Sequence, residues 1–207
     1  MAPDSDIKVA TTRFADDVAN RLTQFHRLMP PGSNSDLASR FLEAQVRGLI
    51  ADRLAPKRLL SGTLSAPGIT APESGPPFVE DIIYDLRRGP LLLESGAFSI
   101  VHPGTCAGVI QVRPSAGNVP KFQARLREIA LTYFPRRHPG CVMGVIVGDS
   151  DPEKKSVVCR SGRRFRAYDF MNAKWCPIFI LFARREERYQ PHLPAIEALL
   201  TNISRLG

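Results

Sequence analysis

Apolar residues recur with two different periods along the chain, and the switch between them outlines the fold. Over residues 8–29, Phe14, Val18, Leu22 and Phe25 follow one another at spacings of four, four and three, which is one face of an amphipathic helix. Pro30-Pro31-Gly32-Ser33-Asn34 stops it. Residues 36–54 predict a second helix, with Leu37, Phe41, Leu49 and Ile50 as its buried stripe and Pro56 beyond its end. Strand-like runs follow at 58–64, 78–85 and 106–113, with shorter apolar pieces at 91–93 and 98–101 broken at Gly96. Residues 119–134 return to the helical period through Phe122, Leu126, Ile129 and Tyr133. The runs 141–147 and 177–182 have no polar alternation, as expected of strands covered on both faces in a parallel or mixed sheet. A last helix, 193–206, turns Ile196, Leu199, Leu200 and Ile203 inward. This order predicts an α/β sandwich, a central mixed β-sheet flanked by helices. Residues 1–34 read as a helix and linker, and 35–207 as the main body of one globular unit.

Composition narrows the setting. No run approaches the roughly 20 apolar residues of a membrane span. The first nine residues carry Asp4 and Asp6 and no apolar core, unlike a secretory signal, so a cytoplasmic location without membrane contact is expected. Cys106, Cys141, Cys159 and Cys176 form no CxxC pair, which speaks against a zinc site; Cys106, Cys141 and Cys176 lie in or beside apolar runs and read as small buried hydrophobes. The net charge is +8, and its placement is uneven. Residues 113–166 hold twelve Lys or Arg against four Asp or Glu, while the rest of the chain holds sixteen of each. A polyanion such as DNA is the natural partner for that segment; the rival is a solvated, arginine-rich surface. Candidate nucleic-acid contacts are Lys121, Arg125, Arg136 and Arg137, then Arg160, Arg163, Arg164 and Arg166 around Phe165. Cations interleaved with aromatics suit backbone contact and base stacking.

The candidate chemistry sits on two of the predicted strands. Asp81 opens the run Asp81-Ile82-Ile83-Tyr84, and the run Ala107-Gly108-Val109-Ile110 ends thirty positions later in Gln111-Val112-Arg113. Magnesium takes hard oxygen ligands and keeps several waters, and period two puts Gln111 and Arg113 on the same strand face. On the same alternation Glu80 points away from Asp81 into solvent. Asp85 lies four residues on, roughly 13 Å away at about 3.3 Å per residue, and reads as a capping or surface group. Neither a Ser-His-Asp arrangement nor a phosphate-binding glycine loop is visible.

These pieces resemble the PD-(D/E)XK nuclease superfamily. Within it they are similar to a small bacterial and phage family of unknown function, through Glu43 on a helix, the step Leu60-Ser61-Gly62, the strand Asp81-Ile82-Ile83-Tyr84-Asp85, Gly89-Pro90-Leu91, and Val109-Ile110-Gln111-Val112-Arg113. The resemblance spans about residues 35–150. It implies a restriction-endonuclease-like sandwich and a nuclease-like protein that uses Mg²⁺ or Mn²⁺ on DNA. By position, Asp81 would bridge the metal, Gln111 would stand where a second carboxylate belongs, and the Val112 carbonyl would be a third oxygen ligand. Arg113 would replace the lysine that positions water, and Glu43 would complete the site through water. An amide brings no charge, so metal binding is expected to be weak or lost. Arg113 keeps a cation but cannot give up its proton. The alternative is therefore an inactive nuclease-fold module that binds nucleic acid, or a protein partner in a phage-defence or mobile-element system. A homodimer also remains open.

Overall fold

The computed structural model describes residues 4–29, 35–51, 54–69, 77–115, 117–135, 141–149, 176–186 and 188–206. Among these lie four α-helices and eight strands. Helices α1 (Asp4–Leu28) and α2 (Ser35–Ala51) precede β1 (Arg58–Leu64) and β2 (Phe78–Tyr84). Then come the short β3 (Leu93–Ser95) and β4 (Phe98–Val101), followed by β5 (Cys106–Ser115), α3 (Val119–Tyr133), β6 (Val142–Asp149), β7 (Ile178–Arg185), β8 (Arg188–Pro191) and α4 (Leu193–Ser204).

All eight strands join one mixed sheet in the order β3-β4-β1-β2-β5-β6-β7-β8. β1, β2 and β5 are antiparallel neighbours, whereas β5, β6 and β7 run parallel. The parallel step from β5 to β6 is bridged by α3, a βαβ crossover. The apolar runs of β6 and β7 are buried along almost their whole length, as the lack of alternation requires.

Each face of the sheet has its own core. Ala15, Val18 and Leu22 of α1, Leu42, Val46 and Ile50 of α2, and Ile196 and Leu199 of α4 cover Ile83, Ile110, Val112, Met143 and Val145 on one face. Phe122, Leu126 and Ile129 of α3 cover Ile82, Val109, Val142, Ile146 and Ile178 on the other. Fully burying one such side chain contributes roughly 1.5–3 kcal/mol, so both faces are needed for a stable domain. Gly144 lets α3 sit close to the sheet: a Cβ there would stand 2.8 Å from both Leu126 Cδ1 and Phe122 Cε1.

The structure departs from the sequence pattern in three places. Leu37 is 51% exposed, and the buried stripe of α2 runs instead through Leu42, Val46, Leu49 and Ile50. β8, Arg188-Tyr189-Gln190-Pro191, has no counterpart among the predicted strands. It is short and polar and ends in proline, a composition tolerated because among the described residues it pairs only with β7, at the end of the strand order.

The third departure is inside β2. Leu60 pairs with Ile82, but Gly62 pairs with Val79. Glu80 and Asp81 therefore both oppose Ser61, a β-bulge with one extra residue on β2. Val79 and Ile82 are three positions apart yet pack into the same α3-side core, which regular alternation would forbid.

Candidate active site

α2 meets the bulge through Arg47, near its C-terminal end. Arg47 Nε donates to Asp81 Oδ1 at 2.9 Å, and Arg47 Nη2 reaches the same oxygen at 2.8 Å. Nη2 also donates to the Glu80 backbone carbonyl at 2.8 Å and to the Ser61 hydroxyl. Ser61 Oγ in turn donates to that carbonyl at 2.8 Å. The bulge frees these backbone groups from the ladder, and α2 and β1 take them up.

Asp81 is fully buried, and Glu80 is largely so. Burial pushes the Asp81 carboxyl up to about 6; Arg47 opposes the shift and Glu43 adds to it by like-charge repulsion. Burial pushes Glu80 up to about 7, with Glu43 and Asp81 repelling its charge and the Val112 N–H stabilising it. Glu43, one turn before Arg47 on α2, is raised as well, first by burial, with Arg47 and Arg40 pulling it back. Three carboxyls thus act on one another, and the Arg47 charge opposes the shifts of two of them, Asp81 and Glu43. Asp81 Oδ2 and Glu80 Oε2 are buried and have no hydrogen-bond partner among the described residues, although buried polar atoms are normally paired.

Glu80 was expected in solvent and is not: the bulge turns it towards Glu43 and Asp81. The signal was present in Val79-Glu80-Asp81-Ile82, where a pair of acids stands between apolar neighbours and breaks period two.

Gln111 and Arg113 do not join this group. Asp81 lies directly across from Ile110, and Ile110 and Val112 pack on the α2 side. Strand alternation therefore turns Gln111 and Arg113 to the α3 side. Gln111 Nε2 donates to the Phe78 carbonyl at 2.8 Å, and the Arg113 guanidinium lies over the Phe122 ring, 4.7 Å from its centroid. The expected common pocket of Asp81, Gln111 and Arg113 is not formed. Val112, by contrast, reaches the site through its backbone, donating its N–H to the Glu80 carboxyl.

Asp85 caps the short 3-10 turn Leu86–Arg88, accepting from Arg87 N at 3.1 Å. Its hydrogen bonds with Arg87 hold its carboxyl down at about 2. Of the basic candidates, Lys121 is exposed on α3 and Arg125 pairs with Glu128 at 2.7 Å. Arg136, Arg137, Arg160, Arg163, Arg164 and Arg166 lie outside the described residues, as does Cys159. Cys106, Cys141 and Cys176 are buried as expected.

The donor chemistry of the site is that of a hard divalent cation, carboxylate oxygens with two of them idle. As they stand, no three His, Cys, Asp or Glu side chains among the described residues are arranged to hold a metal ion. Arg47 is the cation paired with Asp81 instead.

The raised carboxyls have a measurable consequence. A carboxyl whose folded pKa exceeds its unfolded value binds extra protons in the folded state, so its stabilising effect is complete below the unfolded value and is lost as pH rises through the folded one. For Glu80 that window runs from 4.5 to about 7. Glu80→Gln keeps an acceptor for Val112 and cannot ionise. Urea denaturation should find it more stable than wild type by on the order of 2 kcal/mol at pH 8 and unchanged at pH 4.5. Equal effects at both pH values would contradict the burial of an ionising Glu80.

By sequence the chain matches no family model and no curated protein. By structure it is similar to NucC of P. aeruginosa ATCC27853 in its cAAA-bound form, with 11% identity, coverage of 96% of this chain and 90% of that one, and a TM-score of 0.56. The cAAA-bound form of NucC from E. coli MS115-1 aligns over 61% of this chain and 47% of that one, about half its length, with 12% identity and a TM-score of 0.42. Among the described residues no helix is long and apolar enough to cross a membrane. The eight-stranded mixed sheet, its flanking helices and the near-complete match to the P. aeruginosa protein together make this a restriction-endonuclease-like α/β fold.

Proposed function

We propose that the chain is a nuclease that binds nucleic acid, DNA in the first place, and hydrolyses phosphodiester bonds with Mg²⁺ or Mn²⁺ at the α2 face of the β2 bulge. The observation that carries this reading is the pair of adjacent, buried and unpartnered carboxylate oxygens, Asp81 Oδ2 and Glu80 Oε2. Asp81 and Glu80 would hold the cation directly. Glu43 would act through water, and the Val112 carbonyl would be a further oxygen. A bound divalent ion lowers the pKa of a water and offsets charge on the phosphate. The residues of the chain fix the oxygens on a rigid strand and keep them dry. Lys121 and the basic segment 113–166 would draw the polyanion in. Gln111 and Arg113 would support the α3 face of β5 and not touch the cation.

The test is nicking of plasmid and linear DNA with Mg²⁺ or Mn²⁺, followed by EDTA. Wild type should nick only with metal, and Asp81→Ala should remove the activity. Metal-independent or absent nicking would refute the enzymatic reading.

A second reading is favoured by Arg47, whose ion pair neutralises Asp81, and by the turning of Gln111 and Arg113 to the far face. On it the protein is a non-catalytic module that binds nucleic acid in the cytoplasm, or a partner protein in a defence or mobile-element system. Binding without cleavage, metal-independent and falling steeply with salt, would select this reading.

A further inference from the structure

We infer that Arg47 is a built-in competitor for the cation of this site: its guanidinium holds the Asp81 carboxylate through Oδ1, and a divalent ion binds tightly there only as the Arg47 side chain leaves. The inference rests on the metal-site reading above and adds to it the residue that controls loading.

The geometry of Arg47 carries the argument. Both Nε and Nη2 converge on one Asp81 oxygen, at 2.9 and 2.8 Å, while the other Asp81 oxygen and Glu80 Oε2 remain without partners. A salt bridge built purely for structure would be expected to use both carboxylate oxygens, because a guanidinium fork matches a carboxylate two for two. Here both arms use the same oxygen, and Nη2 also donates to the Glu80 carbonyl and the Ser61 hydroxyl, so the guanidinium straddles the bulge. Glu43 lies close enough to act on Asp81, and Arg47 on Glu43. The guanidinium therefore serves two acids, Asp81 and Glu43, with a single positive charge, and the Glu80 carboxyl beside them is repelled by both. A divalent ion taken up by Asp81 Oδ2 and Glu80 Oε2 would share the Asp81 carboxylate with the guanidinium on Oδ1, and the two cations repel, so each weakens the other's hold on Asp81.

The way out is open. The Arg47 side chain is 38% exposed, whereas Asp81 is 1% exposed. Arg47 can swing towards solvent while the carboxylates, fixed by the strand, stay in place. Once displaced, its fork is available to a phosphate. Cation and nucleic-acid phosphate would then each favour the other's binding, because both are disfavoured by the same closed Arg47.

Mn²⁺ titration of the full chain, followed by calorimetry and by the electron paramagnetic resonance of free Mn²⁺, tests this without any activity readout. Arg47→Met should bind Mn²⁺ at least tenfold more tightly than wild type, and Arg47→Lys, with one compact cation and no fork, should fall between them. Asp81→Asn should abolish binding in either background. If wild type binds Mn²⁺ and neither Arg47 variant binds it more tightly, Arg47 is structural and the inference fails while the metal site stands. If wild type and both variants bind none at millimolar Mn²⁺, the metal-site reading and this inference fall together. Should Arg47→Met not fold, Arg47→Lys decides alone: unchanged or weaker binding overturns the inference.

Discussion

Arg47→Met should lower the folding stability measured at pH 8 by about 3–5 kcal/mol, the cost of leaving one partner of a buried pair uncompensated. Methionine preserves the apolar stem but none of the donors. Asp81, with 1% of its side chain exposed, then has no cation beside it, and the Glu80 carbonyl and Ser61 hydroxyl lose a donor. The loss should shrink at pH 5. Asp81 already favours its protonated form, with a folded value of about 6 against 3.8, and without the opposing charge of Arg47 it protonates more readily. The folded state then takes up a proton that the unfolded state holds less often, so lowering the pH recovers stability. Chemical denaturation at the two pH values measures both numbers. A loss of the same size at pH 5 and pH 8 would show that packing, and not charge, accounts for it.

Gly62→Ala should be the most damaging single methyl addition to the sheet, costing more than about 3 kcal/mol. Two causes combine. Gly62 has φ +155°, a conformation that side-chain-bearing residues rarely adopt. A Cβ there would also collide with the Ser99 backbone carbonyl of β4. The obstacle is the main chain of a neighbouring strand, so no rotamer change relieves it. β1 and β4 would have to separate, and β3, which pairs only with β4, would go with them. Thermal melts of Gly62→Ala beside Gly68→Ala distinguish strain from collision. Gly68 also has positive φ, +78°, but open space around it, so its alanine variant should lose far less. Similar losses for both would assign the effect to backbone conformation alone.

Much of the architecture was legible because burial writes itself into the order of residues. The unalternating runs of β6 and β7 announced strands covered on both sides, and the spacings in α1, α3 and α4 announced which stripe each helix buries. The distance of Asp85 along the strand set it apart from Asp81, and of its two readings, capping or surface group, the structure shows the cap. The site was harder to read because its key feature is an irregularity. Period two assumes a regular ladder, and under that assumption Glu80 faces solvent and Asp81 shares a face with whichever residues lie across from it. One extra residue in β2 reverses the first conclusion. The actual partner of Asp81 in β5, Ile110 and not Gln111, answers the second, and pairing register is not written in spacing alone. Arg47 could be suspected only as an i+4 neighbour of Glu43. Its reach to Asp81 depends on how α2 crosses the sheet, which the order of residues does not specify.

The bulge also says how the acid pair relates to the scaffold beneath it. Removing either Glu80 or Asp81 would leave Val79 and Ile82 two positions apart, the separation at which both naturally face α3. The hydrophobic layers would survive unaltered, and a single acid would remain pointing at α2. The second carboxylate at this spot thus comes with the one extra residue of the bulge, whose freed carbonyl is held by Arg47 and Ser61.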